Sequence, residues 1–350
     1  MPGPKTSKLS RLLWGATLLV ALVLPCVPLP TFVFRVASLI FIYSAVNTGL
    51  NLLVGYTGQL SVGQAAFFGI GAYTTALLSI HLHSSLAVDL VAGTVVTALV
   101  ALLLGIPILK LKGQYLIMAT LGFGEVVRLV ASTAEFTGGP NGLPGISLPS
   151  VFGHVLGSAT ALYYLNLAGL VLVLVIAAFL VNSPIGRSMV AVREDEAAAS
   201  AIGINVQGVK LFAFVLAAAV AGFAGVLFAH NGQYVSWQTF VPDEAFTMLA
   251  MLVIGGMGTL PGPIIGTALL LALPEALRGA ALFRYLLYGL ALTVVAPVWP
   301  GGIAAIKWPS WGKRAAGGAS GTGGAGGAGG AGGAGGLVVA ARRREGGQPA

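Results

Sequence analysis

The chain has 350 residues, of which 57% are hydrophobic and only 8% charged, and its mean hydropathy is +0.93. Apolar stretches recur along nearly its whole length, which excludes a soluble domain of this size and defines a membrane protein. The net charge of +8 fits loops flanking membrane spans better than nucleic-acid binding, and a single Cys26 without paired Cys/His spacing excludes an intramolecular disulfide and a zinc site.

At about 1.5 Å of rise per residue, roughly 20 residues cross the hydrocarbon core. Ten candidate spans follow in order: 12–29, 34–54, 61–80, 86–109, 115–133, 161–181, 211–230, 244–257, 262–278 and 284–300. Lys5, Lys8 and Arg11 before Leu12–Leu24 imitate a secretory signal, but Pro25-Cys26-Val27-Pro28 lacks a small-residue cleavage site, so the segment reads as a retained first span. The eighth and ninth spans are short and read as a tight pair.

A cytoplasmic N-terminus places 14 of the 18 Lys and Arg residues inside, leaving Arg35, Arg278 and Arg284 outside and Arg128 within a span. That bias supports an even number of spans. The fold expected is all-α, a polytopic transmembrane helical bundle of about ten spans with both termini cytoplasmic. Residues 1–11 form a cytoplasmic N-terminus and 12–300 the membrane domain. Residues 301–350 form a cytoplasmic tail whose Gly-Gly-Ala repeat buries too little side chain to offset its ordering entropy, so disorder is expected there.

The first polar motif runs from Ser44 to Gln64, where two spans meet. Asn47, Asn51, Gln59, Ser61 and Gln64 stand there among glycines. Buried amides and hydroxyls in lipid need partners or a wet cavity. Lining of a substrate pathway and hydrogen-bonded glue between helices both remain open for them. Ile254-Gly255-Gly256-Met257-Gly258-Thr259-Leu260 echoes Val54-Gly55-Tyr56-Thr57-Gly58-Gln59-Leu60, although in so glycine-rich a chain the match alone carries no weight.

Glu125 and Arg128 stand three apart in the fifth span, close enough on one helical face to form an intramembrane ion pair. A functional role and a structural pair facing the bundle are both open. Thr137-Gly138-Gly139-Pro140-Asn141-Gly142 lacks the ending of a phosphate-binding loop. His230, Asp243 and Glu244 are expected near the external ends of the seventh and eighth spans, and no catalytic constellation accompanies them.

The largest polar excursion is the loop 182–210, with six charges between Arg187 and Lys210. Its chemistry predicts a short surface helix, with Ser183 as cap, Pro184 in the first turn, alanines over 197–201 and Gly203 closing the C-terminus. On composition alone, a solvated connector is an equal reading.

Asn51 through Tyr73, Leu121-Gly122-Phe123-Gly124-Glu125, the 137–142 turn, and Arg193-Glu194-Asp195-Glu196-Ala197-Ala198 with Gly203-Ile204-Asn205 together resemble branched-chain amino-acid ABC transporter permeases of the LivM type, over roughly residues 33–300. The resemblance implies a non-enzymatic permease subunit of a bacterial inner-membrane importer for Leu, Ile and Val, without cofactor or metal. Its implied partners are cytoplasmic ATPase subunits, a second permease, an external substrate-binding protein and membrane lipid. Arg193, Glu194, Asp195, Glu196, Ala197, Ala198 and Gly203 would form the loop that contacts the ATPase, with the glycine one residue later than in the broader pattern. Urea, short amides or other amino acids are alternative substrates within the family. An ion-coupled secondary transporter with Glu125 as its ion site is the alternative of another class.

Overall fold

The computed structural model describes residue 25 and residues 30–111, 113–151 and 154–276. The expected first span apart from residue 25, the tenth span, both termini and the tail 301–350 lie outside these residues. Ten α-helices are described: α1 (Thr31–Leu50), α2 (Gln64–Leu82), α3 (Leu86–Ile108), α4 (Gln114–Thr133), α5 (Ala159–Asn182), α6 (Pro184–Glu194), α7 (Glu196–Ala201), α8 (Val206–Gly232), α9 (Pro242–Gly255) and α10 (Gly262–Ala276). The end of α1 widens into a π-helix over Asn51–Tyr56.

Six of these helices are long and apolar enough to cross a membrane: α1 with its π-helical end, α2, α3, α4, α5 and α8. They correspond to the second through seventh expected spans. The helices α9 and α10 have 14 and 15 residues. At ~1.5 Å per residue, α9 covers only about 21 Å of a core roughly 30 Å thick. The missing length comes from the segment before α9, which holds the short strand Tyr234–Val235 and a 3-10 turn at Trp237–Thr239. Val235 and Phe240 are buried. The Phe240 ring packs 5.4 Å from that of Phe68, early in α2. Non-helical backbone thus enters the bundle, which lipid tolerates only where protein or water surrounds it. Asp243 and Glu244 follow Phe240 in the first turn of α9. They thus stand at the starting end of the eighth expected span, separated from His230 by the segment that runs down to Phe240.

The center of the packing is α8, which contacts α1, α2 and α3. Lipid tails are as apolar as leucine, so helix association depends on close contact rather than on a hydrophobic drive. The run Ala217-Ala218-Ala219-Val220-Ala221-Gly222-Phe223-Ala224-Gly225 provides that contact. A Cβ on Gly71 would lie 2.6 Å from the Gly222 Cα, and one on Gly225 2.8 Å from the Ala72 nitrogen. Gly222 in turn abuts Thr97 of α3.

The end carrying α6 and α7 is termed the loop end. At the opposite end, His230 of α8 and Asp89 of α3 are both buried, with His230 Nε2 3.0 Å from Asp89 Oδ2. His230 Nδ1 lies 3.1 Å from the Ser147 carbonyl oxygen, so it carries a proton, and the contact with Asp89 requires a second, on the ring or on the carboxyl. The Ser147 amide donates to Ser79 Oγ at 2.9 Å, and Ser84 donates to Asp89. The long connection between α4 and α5 is thereby pinned to α2, α3 and α8. Its turn also pairs with the segment before α9, Leu143 opposite Val235.

The packing predicts opposite outcomes for two glycines. Gly71→Leu drives a side chain into the Gly222 backbone, which cannot move aside, and should cost about 1 to 3 kcal/mol or more. Gly122→Ala enters open space and should be neutral. Thermal unfolding of the detergent-purified variants tests both: a lowered midpoint is expected for the first alone.

Candidate functional site

The loop 182–210 folds into two helices, not the one expected. Ser183 caps α6 by accepting from the Gly186 amide at 3.3 Å, with Pro184 at its first position. Asp195 then breaks the helix: its extended backbone ends α6, and its Oδ1 accepts from the amides of Ala197 and Ala198 at 2.8 and 3.1 Å to start α7. A carboxylate satisfying two orphan amides competes with continuation of the helix. Gly203 follows α7 with φ +85°, a conformation that favors glycine.

The charged residues of this loop divide by what they touch. Glu196 pairs with Lys210 of α8, its side chain 45% exposed. Glu194 is exposed and, among the described residues, has no hydrogen-bond or ion-pair partner. Ala197 and Ala198 are exposed beside it. An open cleft of about 620 Å³ runs between the end of α3 and α7–α8, lined by Lys110, Asp195, Glu196, Ala197, Gln207 and Lys210. Arg193 is exposed as well, yet its guanidinium reaches the bundle and donates to the Gly55 carbonyl in the π-helical end of α1.

The five polar residues near the first hairpin are all buried, and four of them use side-chain donors to hold segments together. Asn47 donates to Thr267 Oγ1 of α10 at 2.8 Å and to Met251 Sδ of α9 at 3.4 Å. Asn51 donates to the Thr259 carbonyl and accepts from the Gly258 amide, both at 2.8 Å. Gln59 donates to Thr57 Oγ1 at 2.9 Å and to the Lys210 carbonyl at 3.3 Å. Gln64 donates to the Ala217 carbonyl of α8 at 2.9 Å, while Ser61 Oγ accepts from the Gly63 amide at 3.3 Å. These bonds give the buried amide donors the partners that helix glue requires, while Asn47 Oδ1 and Gln59 Oε1 have no protein partner among the described residues. Asn51 and Gln59 also bring the first hairpin to the α9–α10 turn and to the loop end.

Glu125 and Arg128 are paired on α4, with Arg128 Nε 2.9 Å from each carboxylate oxygen. Their side chains are 52% and 26% exposed, so the pair does not face the interior of the described bundle. The reason is that α4 packs through one face only, burying Leu116, Thr120, Gly124 and Ala131. Trp237, from the non-helical segment before α9, lies with its ring center 5.6 Å from the Arg128 guanidinium carbon, a cation–π distance.

Sequence reasoning missed the three-way junction of Gly55, Arg193 and Gly258. Its signal was the 54–60 and 254–260 echo, whose two copies meet here: a Cβ on Gly55 would lie 2.5 Å from the Gly258 nitrogen.

A family model described as branched-chain amino acid transport system / permease component matches residues 32–296. The chain is 36% identical over 321 residues to the high-affinity branched-chain amino acid transport system permease protein LivM of Salmonella typhimurium, covering 83% of this chain and 75% of that one. It is 37% identical to LivM of Escherichia coli, with the same coverage of each. The permease protein LivH of Salmonella typhimurium is 26% identical over 69% of this chain and 82% of its own. No solved structure matches the chain.

The two hydrogen bonds of Asn51, one donated and one accepted, predict that Asn51→Leu, which leaves the Gly258 amide and Thr259 carbonyl unpaired, costs about 1 to 3 kcal/mol for each group left buried. Thermal unfolding of the purified variant measures this, and an unchanged midpoint would remove Asn51 from the junction.

Proposed function

The chain belongs to the branched-chain amino acid transport system permease family, and we propose that it is the membrane-spanning subunit of an importer for Leu, Ile and Val, driven by ATP hydrolysed on a separate subunit. The observation that carries this reading is that the exposed loop 182–210 holds both side chains free of the bundle and one bonded to it. Glu194, Ala197 and Ala198 are exposed, while Arg193 joins the same loop to α1. A surface that meets a partner and is also bonded to the bundle suits transmission of force, whereas a solvated connector needs no such bond.

The loop end is placed in the cytoplasm. Lys110, Arg187, Arg193 and Lys210 cluster there, against Arg35 at the start of α1 on the opposite end, in the sense of the positive-inside bias. The short helices leave this sidedness unchanged, because α9 carries the chain to the loop end and α10 carries it back. With the first and last expected spans added, both termini are cytoplasmic. A second permease, two ATPases and an external binding protein complete the assembly in a bacterial inner membrane. The opposite end, with its pinned α4–α5 connection, is the side where substrate is delivered.

Transport follows alternating access, in which nucleotide-driven movement of the loop changes the side to which the pathway opens. Uptake of labeled leucine by cells holding the complete system should stop on ATP depletion while the ion gradient is maintained. Continued uptake under that gradient would instead favor an ion-coupled carrier.

Of the loop carboxylates, Asp195 caps α7 and Glu196 holds Lys210, which leaves Glu194 for the partner. Glu194→Lys should weaken the complex with the ATPase by up to about 1 kcal/mol, the scale of an exposed ion pair, without lowering membrane abundance. Titration of the purified permease with its ATPase measures the shift. Unchanged affinity would take Glu194 out of the contact.

A further inference from the structure

We infer that Arg193 is the positioning residue that transmits loop movement to the bundle, by seating its side chain in a slot formed by the two echoing glycine segments. This inference rests on the permease reading above and adds a mechanical link to it.

The slot is built from two Gly-x-x-Gly stretches, 55–58 and 255–258. Gly58 and Gly258 adopt φ of +72° and +74°. A Cβ on Gly58 would lie 3.2 Å from Arg193 Cγ, and one on Gly258 3.1 Å from Arg193 Nη1. Both backbones adopt a conformation that favors glycine, and a side chain at either position would crowd the arginine. The two segments are joined independently by Asn51, which bonds Gly258 and Thr259 from the first turn of the π-helix.

The end of the helix explains why a carbonyl is free for Arg193, because Gly55 lies in its last turn, where carbonyls have no intrahelical amide. The amides of Gly58 and Gln59 donate to the carbonyls of Val54 and Leu53, at 3.2 and 3.3 Å. Among the described residues no backbone amide reaches the Gly55 carbonyl, and the guanidinium takes that place. The carbonyl sits in a widened π turn, an irregularity of a spanning helix of the kind that recurs at functional positions.

The bond directions give the consequence. Arg193 stands in the last turn of α6, two residues before Asp195, the pivot between α6 and α7. Displacement of α6 or α7 reaches α1 through Gly55 and the α9–α10 turn through Gly258. The α9–α10 pair is itself bonded back to α1 through Asn47 and Thr267. One side chain thus joins the loop to two helices whose relative position is set by buried polar bonds.

The test uses the full chain assembled with its ATPases and second permease in lipid, with substrate-loaded binding protein added. Arg193→Gln removes the charged fork at similar length, and Arg193→Lys keeps the charge without the planar fork. Three quantities are read for each variant: ATPase recovered with the permease, the increase in ATP hydrolysis on adding loaded binding protein, and leucine uptake. For Arg193→Gln, ATPase recovery within about twofold of the unmodified chain is expected, with stimulation and uptake each reduced at least about tenfold, a loss equivalent to roughly 1.4 kcal/mol of coupling. Arg193→Lys should recover part of both. Full stimulation in Arg193→Gln overturns the inference. Loss of ATPase recovery in parallel with loss of stimulation also overturns it, because Arg193 would then act in docking. If Arg193→Gln does not accumulate, Arg193→Lys decides by the same readings. Failure of the unmodified assembly to couple hydrolysis to uptake would instead count against the permease reading itself.

Discussion

In lipid, every buried polar group must find a partner within the protein, and helices gain little from burying apolar side chains against one another. The chain meets the second condition with backbone contact at glycines. Gly71 against Gly222 and Gly225 against Phe68 and Ala72 let α8 sit close to α2, with α3 against its other side. It meets much of the first with amide side chains that cross between helices, although Asn47 Oδ1, Gln59 Oε1 and Asn166 Oδ1 stay buried without a protein partner among the described residues. Asn47, Asn51 and Gln64 do not weaken the bundle, because each donor ends on a carbonyl or hydroxyl of another helix or turn.

The same condition accounts for the irregular parts. The descent from His230 to Phe240 places non-helical backbone within the bundle, and Val235 pairs with Leu143 while Phe240 lies against Phe68 and Tyr73. The π-helical end of α1 leaves the Gly55 carbonyl to be satisfied from outside, and Arg193 supplies the donor. Irregular backbone in this chain is therefore a place where distant segments are bonded together. Both breaks converge on α9, one at its start and the other beyond its end, so a short helix becomes the link between the two.

Much of this was legible in the sequence, because six spans announce themselves through length and apolar composition. Ser183, Pro184 and Gly203 likewise mark the loop helices through local backbone chemistry. What depends on distant partners was not legible. Asp195 reads as a charge for a partner protein but serves as a cap, since capping and docking ask for the same residue type. Glu196 meets Lys210 fourteen residues on, across a turn whose direction composition does not reveal. The amides near the first hairpin suit a pathway or glue equally until their bonding partners are known. The 54–60 and 254–260 echo was visible but weightless, because only the fold brings the two copies together around Arg193. The Glu125–Arg128 pair was found by spacing, while its exposure follows from the one-sided packing of α4.

The central claim is that the loop and the α9–α10 turn move together against the opposite end of the bundle. Spin labels at Glu194→Cys and Met257→Cys, in a Cys26→Ser background, report the distance within the proposed moving unit. A pair at Met257→Cys and Phe136→Cys reports its displacement from the other end. All three positions are accessible, with Met257 and Phe136 exposed in the structure and Glu194 exposed at the end of α6. Pulsed electron-spin distance measurements on the complete assembly, with and without a non-hydrolysable ATP analogue, should give an unchanged 194–257 distance and a shifted 136–257 distance. A nucleotide-dependent change in the 194–257 distance, with 136–257 constant, would contradict the account.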